Sequence, residues 1–248
     1  MKKFGLIGHP IAHSLSPALF KAAYDGKYAY DLIEGEDFET SYRRFIEEYD
    51  AINVTAPFKE AAFAKADILS EECASTGATN LLVKTPEGIK AYNSDFLGVR
   101  MWLSEVTEDL KGVKILIVGL GGAGKAAAAA GESLGMDVIR MNRTVRDSQT
   151  HPLDDFRKCF RKANIIIYNI PAAIPELKEL TDSDFNEDKP KLILEANYKD
   201  PSLRETMESF GSKAVYTGGE TWLLYQAMTG YKILTGEKPD LTKMSDVL

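Results

Sequence analysis

The chain has 248 residues, 44% of them hydrophobic, enough to bury a substantial core in one large or two small domains. Thirty Lys and Arg against 37 Asp and Glu leave a net charge of −7, and no basic run appears, which argues against a general nucleic-acid binder. No stretch reaches the roughly 18 apolar residues of a membrane span, and His9 and Pro10 cut the N-terminal apolar run too short for a signal peptide. Cys73 and Cys159 lack metal-ligand spacing and read as buried thiols in a reducing compartment. The expectation is a cytoplasmic protein, monomer or homodimer, with a small-molecule ligand and with no metal, membrane or nucleic-acid partner.

In chain order, residues 4–8 predict a first strand, followed by the loop His9-Pro10-Ile11-Ala12-His13-Ser14-Leu15-Ser16. Pro17 fits the first position of a helix with Ser16 as N-cap, and Leu19, Phe20 and Ala23 mark its apolar face. Residues 28–33 predict a second strand. Phe38, Tyr42, Phe45, Ile46 and Tyr49 recur at helical spacing over 38–49. A short apolar strand at 51–54 ends in Thr55-Ala56-Pro57-Phe58-Lys59, and helical spacing resumes over 60–69. Residues 80–84 and 89–92 flank the turn Thr85-Pro86-Glu87-Gly88 and predict a hairpin. Asp95 is the natural N-cap of a helix over 96–106, and the polar segment 107–112, closing on Gly112, is the candidate hinge.

Residues 113–144 form the pattern of a βαβ unit. Gly119, Gly121 and Gly124 stand at G-x-G-x-x-G spacing, where the first permits the turn, the second bares backbone to a pyrophosphate, and the third lets helix pack on strand. Gly122 and Ala123 open the helix, whose N-terminal N–H groups favour phosphate. The bland alternative is a glycine turn of any doubly wound domain. The second strand ends in Asn142-Arg143-Thr144, where an NAD site would carry an acid; a guanidinium there suits the 2′-phosphate of NADP. Gly119 to Lys125 also satisfies the P-loop pattern, but Ala126 lacks the hydroxyl that ligates Mg²⁺ there. Further strands are predicted at 164–170, 191–196 and 214–216, with helices at 203–210 and 220–234, the last preceded by the backbone freedom of Gly218-Gly219.

Four polar sets share one expected placement, the C-terminal end of a predicted strand, the edge where open α/β sheets bind ligands: Ser14 and Ser16; Asn53, Thr55 and Lys59; Asn80; and Asn93 with Asp95. Each has a plainer reading as a cap, a turn residue or a solvated lysine. Their joint placement is the argument for function.

These segments fall in a family order. Gly8-His9-Pro10-Ile11-Ala12-His13-Ser14-Leu15-Ser16-Pro17, Asn53-Val54-Thr55-Ala56-Pro57-Phe58-Lys59, Gly77-Ala78-Thr79-Asn80, Asn93-Ser94-Asp95-Phe96-Leu97-Gly98, the glycine loop, Asn142-Arg143-Thr144 and Tyr225-Gln226-Ala227 resemble those of the shikimate dehydrogenases over nearly the whole chain. The resemblance implies an open α/β substrate domain, residues 1–106 completed by 220–248, and a Rossmann-type doubly wound parallel sheet at 107–219. It implies NADP-linked interconversion of 3-dehydroshikimate and shikimate, with a quinate/shikimate dual-substrate enzyme or a non-catalytic ligand-binding protein as alternatives. It further implies Lys59 and Asp95 as the catalytic pair. Ser14, Ser16, Thr55, Asn80, Tyr198 and Gln226 would bind substrate. Gly119, Gly121, Gly122, Ala123, Gly124, Asn142, Arg143, Thr144 and Gly219 would bind cofactor. Asn169-Ile170-Pro171-Ala172 and Asp147 depart from the family pattern, the latter where a second basic residue is common.

Overall fold

Strand β1 (Lys3–Gly8) is buried from Phe4 onward, the condition of an interior parallel strand covered on both faces. It lies in the first of two α/β units seen in the computed structural model, which describes residues 2–248: one unit runs up to Gly98 and resumes at Leu224–Leu248, the other is Val99–Leu223. The divisions fall inside helices, at 98/99 and 223/224, where the sequence suggested the polar segment 107–112 and the glycines at 218–219.

The first unit adds β2 (Ala29–Glu34), β3 (Ala51–Val54), β4 (Ile68–Leu69), β5 (Leu81–Thr85) and β6 (Gly88–Tyr92), in the order β2-β1-β3-β5-β6-β4. Strands β1, β2 and β3 are parallel, whereas β5 is antiparallel to both β3 and β6. Helices α1 (Ser16–Ala23), α2 (Phe38–Glu48), α3 (Lys59–Ala64) and α4 (Glu71–Thr76) lie between them in the chain. Phe38, Phe45, Tyr49, Ile52, Val54 and Phe58 share one core, so the aromatic stripe of α2 packs on the sheet. Phe20 of α1 lies 4.8 Å, ring to ring, from Tyr231, which seats the C-terminal segment on the N-terminal one.

Three local expectations are corrected. Helix α3 stops at Ala64, because Asp67 turns the chain by accepting the Ile89 N–H at 2.7 Å, and Ile68–Leu69 then pairs with β6. Ser16 is the first residue of α1 and not its cap; its own N–H donates to Ser14 Oγ at 3.2 Å. The cap of α5 (Ser94–Val106) is Asn93, whose Oδ1 accepts the Phe96 N–H at 3.1 Å, leaving Asp95 in the first turn with its carboxylate directed elsewhere.

The second unit holds β7 (Lys114–Val118), α6 (Gly122–Ser133), β8 (Asp137–Met141), β9 (Thr150–His151), α7 (Phe156–Lys162), β10 (Ile165–Tyr168), β11 (Lys191–Glu195), α8 (Arg204–Glu208) and β12 (Ala214–Thr217). Its six strands are all parallel, in the order β12-β11-β10-β7-β8-β9. That is the doubly wound dinucleotide order, with the switch point between β7 and β10. Two helices complete the chain, α9 (Gly219–Thr235) and α10 (Leu241–Ser245). No helix among the described residues is long and apolar enough to cross a membrane.

Candidate active site

In the first unit the candidate side chains gather at one edge of the sheet. Parallel β1 and β3 end there; antiparallel β5 starts there and β6 ends there, so Gly8, Thr55, Asn80 and Asn93 are brought together from distant sequence. The His9 N–H donates to the Ala56 carbonyl at 3.2 Å and ties the two loops. Gly8 has no room for a side chain, since a Cβ would strike the Thr55 methyl and Ile11. The serine loop is held from the other side by Glu34, which accepts the Ile11 N–H at 3.2 Å. Ser14 Oγ donates to Ser16 Oγ at 3.1 Å, and Tyr231 OH donates to the Ser16 carbonyl.

Buried Phe58 anchors the turn after β3 in the core, and the next residue, Lys59, opens α3. Its ammonium donates to Asp95 Oδ2 at 2.5 Å, with side-chain exposures of 23% for Lys59 and 8% for Asp95. A half-shielded cation facing a buried carboxylate is an arrangement that can hold and move a proton. Beside it, Asn80 is buried with both ends of its carboxamide on Ser94: Oδ1 accepts the Ser94 N–H at 2.7 Å and Nδ2 donates to Ser94 Oγ at 3.0 Å. Ser94 Oγ donates in turn to Gln226 Oε1 at 3.2 Å. Asn53, one of the polar residues picked out in the sequence, lies under the site, where its Oδ1 accepts from Tyr30 OH at 2.8 Å.

In the second unit, Gly119 takes a positive φ of 87°, a conformation L side chains rarely adopt. A Cβ on Gly124 would collide with the Gly119 carbonyl, whereas one on Gly121 meets nothing within 4 Å. Close packing at the third glycine and open space at the second are what a phosphate loop requires. Asn142 braces this loop: its Oδ1 accepts the Leu120 N–H at 3.4 Å and its Nδ2 donates to the Thr144 carbonyl. Arg143 and Thr144 are exposed beyond it. Asp147 accepts from Thr150 Oγ1 and from the Gln149 N–H, both at 2.9 Å, and the Thr150 hydroxyl foremost holds its carboxyl below the usual range. Gly219 is a site of close approach, since a Cβ would lie 2.6 Å from the Tyr198 nitrogen; its φ and that of Gly218 are not positive, so the freedom expected of this pair is not used.

Tyr198 belongs to the second unit, in the loop after β11, and burial pushes its phenol up. That loop hangs on Glu195, fully buried, whose carboxylate accepts from the Ser202 N–H at 2.6 Å, Tyr216 OH at 2.6 Å and the Leu203 N–H at 3.2 Å. Sequence reasoning passed over Glu195 and Ser94; the available signals were a carboxylate closing an apolar strand and a small hydroxyl between two polar site residues. At the end of β10, Asn169 Oδ1 is buried without a hydrogen-bond partner, and its Nδ2 is 3.4 Å from where a Gly124 Cβ would stand. Among the described residues no group of three or more His, Cys, Asp or Glu side chains is placed to hold a metal ion.

A dinucleotide-type sheet and a second sheet carrying a lysine–carboxylate pair among amides and hydroxyls define a nicotinamide-dependent oxidoreductase. The chain is 30% identical to the shikimate dehydrogenase (NADP(+)) of Thermotoga maritima over 93% of its length and 92% of that protein. It is 31% identical to the enzyme of the same description from Staphylococcus aureus, over 98% and 96%. This chain belongs to the shikimate dehydrogenase family. The family model for the shikimate dehydrogenase substrate binding domain matches residues 6–82, and that for the D-isomer specific 2-hydroxyacid dehydrogenase NAD binding domain matches 88–194. Among solved structures, shikimate 5-dehydrogenase from Thermus thermophilus in complex with NADP(H) and shikimate superposes with a TM-score of 0.81 at 26% identity, covering 100% of this chain and 98% of that one.

Proposed function

We propose that this protein is an NADP-dependent shikimate dehydrogenase, interconverting shikimate and 3-dehydroshikimate, with the first unit binding substrate and the second the nucleotide. The observation that carries it is the Lys59–Asp95 contact of 2.5 Å in a chain of this family. NADP⁺, held by the glycine loop and Asn142-Arg143-Thr144, would supply the acceptor for the hydride of the carbinol carbon. Lys59 and Asp95 deal with the proton: in the oxidation direction the pair, one proton short, takes the hydroxyl proton as the C=O forms, and in the reverse direction the ammonium stabilises and protonates the developing alkoxide. Asp95 fixes the ammonium in place. Ser14 and Ser16 offer hydroxyls to the substrate carboxylate. Thr55, Asn80 and Gln226 hold the ring hydroxyls.

The open cradle at Gly121, the fit of Gly124 and the unpartnered acceptor Asn169 Oδ1 support dinucleotide binding at the β7/β10 switch point. Exposed Arg143 supports the choice of NADP, as does the tying of Asp147 into its own turn. Both thiols are free and buried, Cys73 pushed up to about 11 by burial, which supports a reducing, cytoplasmic setting. The test is purified protein with shikimate and NADP⁺. Reduced nicotinamide should accumulate, and its absence with NADP⁺ and NAD⁺ alike would refute the reading.

A further inference from the structure

Helix α1 begins without the usual supports. Ser16 is its first residue and stands directly before Pro17, where the helical conformation is sterically disfavoured, and Leu15 at the N-cap supplies no side-chain cap. Two bonds hold Ser16 there. Its N–H donates to Ser14 Oγ at 3.2 Å, and its carbonyl, which can only accept, takes the proton of Tyr231 OH at 3.1 Å. The first bond lies inside the loop; the second comes from α9, 215 positions along the chain. A residue held at both its N–H and its C=O has its Cα–Cβ bond aimed, so the Tyr231 hydroxyl helps to set where the Ser16 hydroxyl points. Tyr231 is a fixed reference for this: its ring is 1% exposed and meets Phe20 edge-on at 4.8 Å. Helix α9 itself is seated at close range, since a Cβ on Gly98 would come within 2.6 Å of the Gln226 nitrogen and one on Gly230 within 3.1 Å of Ser94 Oγ.

We propose that Tyr231 is a positioning residue for the carboxylate end of the substrate pocket. Being buried, it acts through Ser16 and not on the ligand itself. Without the Tyr231 hydroxyl the residue before Pro17 relaxes, the hydroxyls of Ser14 and Ser16, 3.1 Å apart, lose their alignment, and a carboxylate finds its two donors displaced. Binding then suffers more than chemistry, because the Lys59–Asp95 pair is untouched. A tyrosine that only fills the core would lower stability on losing its hydroxyl, but would not distinguish a charged ligand from an uncharged one.

The inference rests on the reading of this pocket as the shikimate site, and wild-type turnover of shikimate is the control that separates the two. Tyr231→Phe, which keeps the ring, should raise the KM for shikimate about three- to tenfold, the range one hydrogen bond covers, leave the KM for NADP⁺ within about twofold, and lower kcat less than about threefold. For the methyl ester of shikimate, a competing ligand without the negative charge, the inhibition constant should change less than about twofold. Thr235→Val is the matched structural control. It removes another buried hydrogen bond between α9 and the end of α1, Thr235 Oγ1 to Tyr24 OH at 2.9 Å, and should lower the unfolding temperature while the KM for shikimate stays within about twofold. Tyr231→Met, also without a donor, replaces Tyr231→Phe if the latter does not fold, as read by thermal unfolding and NADP⁺ affinity. A wild-type KM in the folded Tyr231 variant, equal losses with shikimate and its ester, or an equal rise of KM in Thr235→Val overturns the proposal. A wild-type protein that does not turn over shikimate overturns the substrate reading, and this inference with it.

Discussion

At Lys59 the ammonium sits at the start of a six-residue helix, half shielded and in contact with Asp95. If it stabilises the charge that develops on the substrate oxygen, Lys59→Ala and Lys59→Met should lower kcat by about 10² to 10⁴-fold while KM moves little. Near-normal kcat in both folded variants would remove it from the chemistry; a rise in KM alone would make it a binding residue. At Arg143, replacement by alanine should raise the KM for NADP⁺ and leave NAD⁺ use nearly unchanged, and equal losses with both would mark the residue as structural. Asp147→Asn, by contrast, should cost little discrimination, because the carboxylate is spent on Thr150 and Gln149. The placement of Lys59 and Asp95 was legible in the sequence because each lies just past an apolar strand, whereas Asn80 stands immediately before one, β5. That of Ser94 was not: between Asn93 and Asp95 a serine reads as part of a helix start, and only the backbone shows its N–H facing Asn80.

Among the elements, the boundaries that moved did so where a side chain overrides periodicity. The apolar spacing of residues 60–69 continues past Ala64, but the Asp67 carboxylate captures Ile89 and converts the end of the run into a strand. Which polar residue caps α5 was equally hidden, since Asn93 and Asp95 are both good caps by type. Asn93 takes the part because its carboxamide also donates to the Ala78 carbonyl at 3.0 Å and to Thr76 Oγ1 at 3.1 Å. Asn93→Ala should therefore lower stability by roughly 2 kcal/mol, a lost cap together with buried acceptors left unpaired, measured by denaturant unfolding. A change below about 0.5 kcal/mol would show that water replaces it. The doubly wound class, on the other hand, was readable from the glycine loop, the family resemblance and the apolar runs of β7, β10 and β11, which are largely buried, whereas the two-residue β9 carries no such signal.

For the molecule as a whole, stability against pH has one unusual contributor. Lys191 is fully buried, donating to the Ala163 carbonyl at 2.5 Å, and desolvation pushes its ammonium down to about 8, with Asp184 opposing. The unfolded value is about 10.4. Between these two pH values the unfolded chain binds more protons than the folded one, so this group's contribution to stability rises with pH across the window and is flat outside it. The unfolding free energy of wild type minus that of Lys191→Met should increase from pH 8 to about 10.4; a constant difference would refute the assignment.

The first unit is interrupted by the whole of the second, and its last segment supplies Tyr231 to the Ser16 loop, Thr235 to Tyr24 and Gln226 to Ser94. On the ribosome this fixes an order of events. Residues up to Gly98 emerge with Phe20 and Tyr24 still lacking the segment that covers them, and they wait for residues 99–223 to be made, on the order of ten seconds at ordinary translation rates. The nucleotide-binding sheet, whose strands are all encoded within that stretch, has its full sequence first. The earliest part of the chain to be synthesised is thus the last to be finished, and a message truncated before Leu224 yields a protein with a complete dinucleotide sheet and an uncovered aromatic surface, a species for chaperones and proteases.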